Sequence, residues 1–136
     1  MKGKYRRKSS KFQFVDPHLE EVNFIANPVF VSEADDGEIE MQNSFNIQVK
    51  RSKDENRANV ELTLETNTEN ERAPFKLQIK VASDFKWEDL DEKTVDSMLN
   101  LNAPALLLSY MRPIVANITN SSKFPTYNLP FINFKE

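Results

Sequence analysis

The side chains in this sequence best placed to do chemistry are its clustered carboxylates: Asp35 and Asp36, Glu69 and Glu71, and Glu88, Asp89 and Asp91. Such a pair can divide acid and base work or hold a divalent cation when a neighbour tunes one carboxylate or a third ligand closes the site. These groups lie in polar turns and at a helix start, where solvated charge is the ordinary occupant, and none has a visible acid-base or metal partner. The lone histidine, His18, stands beside Pro17 at an alternating position, which predicts a surface or edge-strand place. Cysteine is absent, which excludes a disulfide framework, a Cys-type zinc site and a thiol nucleophile. Gly3 and Gly37 are the only glycines, so a glycine-rich phosphate cradle is excluded too. The expectation is a protein that is not an enzyme and carries no cofactor or metal.

Two segments have binding chemistry instead. Lys2, Lys4, Arg6, Arg7, Lys8 and Lys11 give the first eleven residues a charge of +6, which leaves 12 basic and 21 acidic groups, or -9, for the remainder. A basic arm can meet nucleic acid, the ribosome or anionic lipid through counterion release. It is also what a solvated end looks like, and with Tyr5 its only interleaved aromatic, residues 1–10 are expected to be a disordered arm. No apolar stretch of signal-peptide length follows, so a cytoplasmic place is expected. The opposite end reads "SSKFPTYNLPFINFKE", in which Phe124, Tyr127, Phe131 and Phe134 sit among two prolines. It is too proline-rich for a helix and too apolar for a loose end.

The elements that must position these segments follow from periodicity. A chain of 136 residues with 39% apolar content suffices for one core and not for two, so residues 11–136 are expected to form a single domain. In "EIEMQNSFNIQVK", Glu38 to Lys50, the apolar positions Ile39, Met41, Phe45, Ile47 and Val49 alternate with polar ones, the period of a half-buried strand, with Asn43 the one lapse. The pattern recurs with Val60, Leu62 and Leu64, and again with Phe75, Leu77, Ile79 and Val81. Short polar turns, "SKDEN" and "NTENE", join the three into an antiparallel meander. A fourth strand over Lys11 to Ile25 is carried by Phe12, Phe14, Val22 and Phe24, and Pro17 marks it as an edge or a bulge. The connection "ANPVFVSEADDG" is long enough to cross the sheet.

One apolar sheet face must be covered, and the second half of the chain is helical. Leu90, Val95, Met98 and Leu99 follow an acidic first turn. Beyond Asn102, Leu107, Leu108, Met111, Ile114, Val115 and Ile118 make an unusually broad stripe. Its breadth predicts a helix lying between the sheet and a second subunit, with Leu107, Met111, Ile114 and Ile118 at a homo-oligomer interface. The run is too short to span a bilayer and contains Arg112 and Pro113, so no membrane insertion is expected. Pro113 predicts a kink or break. The fold class is therefore α+β: a four-stranded antiparallel sheet, a meander with a crossover, covered on one face by a long α-helix.

The stretch from Pro104 to Phe134 resembles the SecB family of export chaperones, whose patterns are P-N-I-L-F-P-Y-A-R-E and G-T-F-P-Q-L-N-L-A-P-V-N-F. The matching residues are Pro104, Leu107, Tyr110, Arg112, Phe124, Pro125, Asn128, Leu129, Asn133 and Phe134. A weaker likeness reaches back to "FKLQIKVASDFKW" and to "LEEVNFIAN", where the family has a motif like K-D-I-S-F-E-A-P. The resemblance implies a dimer or dimer of dimers that binds unfolded or pre-secretory polypeptide without ATP. It also implies that the segment after the main helix runs extended and offers clients an apolar surface, here Tyr127, Leu129, Phe131 and Phe134. Of the three acidic positions by which the family engages the SecA motor, Glu21 keeps one, while Ile25 and Gln78 replace the others, which weakens the case for docking on SecA. The family continues past its Asn-Phe pair into a final helix, whereas this sequence stops two residues after Phe134. The family's helix proline falls at Ser109, one turn before Pro113. The alternative function is a SecB-fold binding module or scaffold for one specific protein, or for a ribosome or nucleic acid met through the basic arm.

Overall fold

The computed structural model describes residues 11–31, 39–52 and 54–134; the basic arm lies outside them. Four strands, β1 (Phe12–Ala26), β2 (Asn43–Arg51), β3 (Arg57–Thr66) and β4 (Phe75–Trp87), precede two helices, α1 (Glu92–Ser97) and α2 (Ala103–Asn120), joined by a π-helical turn at Met98–Asn102. The sheet order is β1-β4-β3-β2 and every pairing is antiparallel. The meander is β2-β3-β4, and the connection after β1 crosses from one edge of the sheet to the other.

Alternation sets which face is dry. Ala58, Val60, Leu62 and Leu64 of β3 and Phe75, Leu77, Ile79 and Val81 of β4 are fully or almost fully buried under α2, while the residues between them keep partial contact with water. The two central strands thus supply most of the core, and the edge strands β1 and β2 contribute half-buried rings and aliphatics such as Phe14, Phe24, Phe45 and Ile47. Pro17 sits where expected, on an edge strand, and the β1/β4 register is broken between Val15 and His18. The strand expected from Glu38 begins only at Asn43. Asn67, with φ 61°, explains this: its backbone N–H donates to the Gln42 carbonyl (2.8 Å), and its side-chain oxygen accepts from the Gln42 N–H (3.0 Å). A side-chain clasp replaces the ladder there, and asparagine is among the few residues that tolerate a left-handed backbone.

Asp91 caps α1, its carboxylate accepting from the Thr94 N–H; the Thr94 side chain first and its N–H second hold the Asp91 carboxyl below the usual range. Arg51 ties the helix to the sheet, pairing with Glu92 (3.0 Å) and Asp96 (3.2 Å) while its guanidinium lies over the Trp87 ring. Of the kink or break expected at Pro113 in α2, the break does not occur, for the helix is continuous from Ala103 to Asn120. Pro113 and Ser109 both lie on the exposed side, so the carbonyl of Ser109, deprived of its usual N–H donor, can be met by water. Among the described residues no helix is long and apolar enough to cross a membrane.

Leu107 and Met111 are fully buried within the single chain, and Ile114 and Ile118 are half-buried against the same core. Of the four residues expected at a homo-oligomer interface, Leu107 and Met111 are thus enclosed by the chain's own core, and Ile114 and Ile118 keep part of their surface. The stripe is wide because it meets two surfaces of its own chain, the sheet and the tail that follows α2.

Candidate functional site

The tail after α2 is an extended strap fastened by side chains. Thr119, fully buried in the last turn of α2, donates its hydroxyl to the Val115 carbonyl (2.9 Å) and accepts the Tyr127 N–H (2.8 Å). A threonine placed there turns the chain back along the helix that it has just left. Arg112 lies further up α2. Its Nε donates to the Leu129 carbonyl (2.6 Å), and its guanidinium stacks 3.8 Å from the centre of the Phe131 ring. Asn43, the polar lapse in the β2 pattern, is the third fastening: its amide donates to the Tyr127 hydroxyl (2.5 Å) and accepts from Thr66 (2.8 Å).

The four residues expected to face clients divide sharply. Leu129 is fully buried, a plug in the core, and Arg112 holds its carbonyl against the helix. Tyr127 is half-buried. Phe134 is half-buried and meets Phe45 of β2 edge-on, 6.1 Å between ring centres. Phe131 is 69% exposed: Arg112 covers one face of the ring and water meets the other. At the start of the strap Phe124 packs against Phe75 and Phe30, so this aromatic belongs to the core edge.

A second apolar surface was not foreseen from periodicity. Of the seven exposed large apolar side chains among the described residues, Leu19, Val22, Ile25, Val29 and Val31 lie on β1 or just beyond it. The sequence signal was spread over two readings, Leu19 to Ile25 within the fourth strand and Val29 and Val31 within the connection "ANPVFVSEADDG". Glu21 is exposed and faces Lys80 across the β1/β4 pair, with Ile25 opposite Lys76 and Asn23 opposite Gln78. This outer face is of mixed charge.

Among the described carboxylates, Asp84 and Glu71 have structural partners, and Asp35 and Asp36 lie outside the described residues. Asp84 accepts from Arg57 (2.5 Å) and Asn59 (3.0 Å), and Arg57 first, then Asn59, keeps its carboxyl below the usual range. Glu71 pairs with Lys76. No cluster among the described residues could hold a metal ion.

With this geometry the chain matches the family described as preprotein translocase subunit SecB over residues 22–136. The chain belongs to the SecB family. The Cellvibrio japonicus protein-export protein SecB is 37% identical over 73 residues, covering 54% of this chain and 43% of that relative. The Stenotrophomonas maltophilia protein-export protein SecB is 30% identical over 97 residues, covering 71% and 56%. The chain thus spans about half the length of these curated SecB relatives. In three dimensions it is similar to the Mycobacterium tuberculosis SecB-like chaperone Rv1957, solved in complex with a ChAD peptide from the Rv1956 HigA1 antitoxin, with a TM-score of 0.70 at 13% identity, covering 90% of this chain and 88% of that one. At that identity the likeness establishes the SecB-like fold.

Proposed function

We propose that this SecB family chain is an ATP-independent holdase that captures unfolded or pre-secretory polypeptide, in the service of protein export. The observation that carries the reading is Phe131. An aromatic ring 69% exposed yet held in place by a guanidinium on one face offers a rigid apolar anchor to an extended chain, and aromatic anchors dominate such interfaces. Tyr127 and Phe134 flank it on the same strap. Mixed charge around Glu21 does not favour electrostatic docking on a SecA-type motor.

The test is affinity for a reduced, alkylated client that cannot refold. Phe131→Ser is expected to weaken binding by about tenfold or more at an unchanged melting temperature. Undiminished binding would reject the strap as the client surface.

Self-association belongs to the same proposal, but on β1 rather than on α2. β1 is an open sheet edge of 15 residues that carries exposed Leu19, Val22 and Ile25, and an open edge of that length is a template for pairing with another strand. Two copies joined along β1 would pair both open edges.

A further inference from the structure

His18 lies in the interruption of the β1/β4 ladder. Asp16, at φ 61°, takes the left-handed backbone conformation there, Pro17 supplies no N–H, and the pairing resumes with His18 opposite Ala82 before slipping again between Leu19 and Glu21. Two side chains bridge this irregular stretch. From β4, Ser83 donates its hydroxyl to the Val15 carbonyl (2.7 Å). From within β1, His18 reaches backward and forward at once: Nδ1 is 2.9 Å from the Asp16 carbonyl oxygen and Nε2 is 2.8 Å from a carboxylate oxygen of Glu20.

Both atoms facing the ring are acceptors. A neutral imidazole has one N–H and one lone pair, so it can satisfy one of these contacts and sets a lone pair against oxygen in the other. Only the imidazolium donates to both. We propose that His18 is a proton-controlled clip on the β1 edge, which fastens the double irregularity between Asp16 and Glu21 when doubly protonated and releases one end when it loses a proton.

The surroundings reinforce the charged form. Asp16 and Glu20 face the ring from β1, Asp84 acts on it from β4 while held by Arg57 and Asn59 of β3, and Glu61 of β3 stands across Ala82 in the same row. Glu21, the next acid, is turned to Lys80. The His18 ring accordingly titrates above its ordinary value, the bond to the Asp16 carbonyl first among the causes and that to Glu20 second. The sign follows: the fastening is complete below the ordinary histidine value and is lost as pH rises through the higher folded value. Because a bulge is one of the ways a sheet edge is kept from adding strands, the clip places control of the N-terminal half of that edge at a pH above the ordinary histidine value.

The test is a titration of the whole chain by nitrogen NMR of the ring, with amide exchange of residues 16–21 corrected for intrinsic rate, from about pH 5 to about pH 9. His18 should titrate above 6.5 with both ring nitrogens protonated at low pH, and exchange at these amides should rise several-fold as the ring loses its proton. Glu20→Gln should lower the ring's titration point, and His18→Gln should abolish the pH-dependent step. Both side chains are exposed, so both variants keep the fold, which an unchanged melting temperature verifies. A ring titrating at or below 6.5, a Glu20→Gln variant that titrates as the parent does, or exchange indifferent to the ring's proton would each overturn the clip.

Discussion

At the residue scale the strap contains two kinds of apolar side chain whose roles separate by burial. Leu129 is enclosed by the core, so Leu129→Ala should cost about 2–5 kcal/mol in a denaturant or thermal melt. An equal loss from Phe131→Ser would mean that the exposed ring is structural after all. Asp84 gives the residue scale a pH signature. Its folded carboxyl titrates below the ordinary value of 3.8, so the ionised group contributes stability that is fully present above that value and lost as pH falls through the folded one. Melting curves taken from about pH 6 down to about pH 2 should therefore fall less steeply in Arg57→Gln than in the parent. Identical slopes would show that the Arg57 contact does no net work. The broad alternation of β2 was legible, but the function of its lapse at Asn43 was not. A polar residue in an apolar row is explained only by what lies opposite it, and Thr66 and Tyr127 come from far along the chain.

At the element scale α2 continues through a proline expected to kink or break it. The missing hydrogen bond falls on the exposed side, where water substitutes, so the cost is smaller than for a buried kink. Pro113→Ala restores an N–H to the Ser109 carbonyl and should raise stability by about 1–3 kcal/mol, less whatever freedom the unfolded chain regains. A melting temperature unchanged or lowered would show that the rigid ring serves the packing of α2. The β3–β4 connection gives the contrasting case. Its polar composition announced a turn, whereas the clasp by which Asn67 shortens β2 depends on a residue 25 positions away, a distance over which no local period carries information.

At the scale of the whole molecule the proposed self-association is argued for the edge of β1. The helix stripe is covered by the chain's own sheet and strap, and among the described residues most exposed large aliphatics lie on β1 or just beyond it. Val22→Lys would place a charge at that edge, and should lower the sedimentation coefficient at micromolar concentrations without changing the melt of the monomer fold. A chain that sediments as a monomer before any substitution would remove self-association from the proposal.

What the sequence determined by itself was local and periodic: four strands with their dry faces, the meander and its crossover, the acidic start of the first helix, and a tail too apolar to be idle. Each rests on near neighbours in the chain, where spacing alone decides which side chains share a face. What the tertiary structure decided was the division of apolar groups between core and surface. The stripe on α2 and the rings of the strap have the same composition whether they cover each other or face a partner. Only the return of the chain, pinned by Thr119, Arg112 and Asn43, buried Leu129 with Leu107 and Met111, left Phe131 in water, and moved the uncovered surface to the edge of β1.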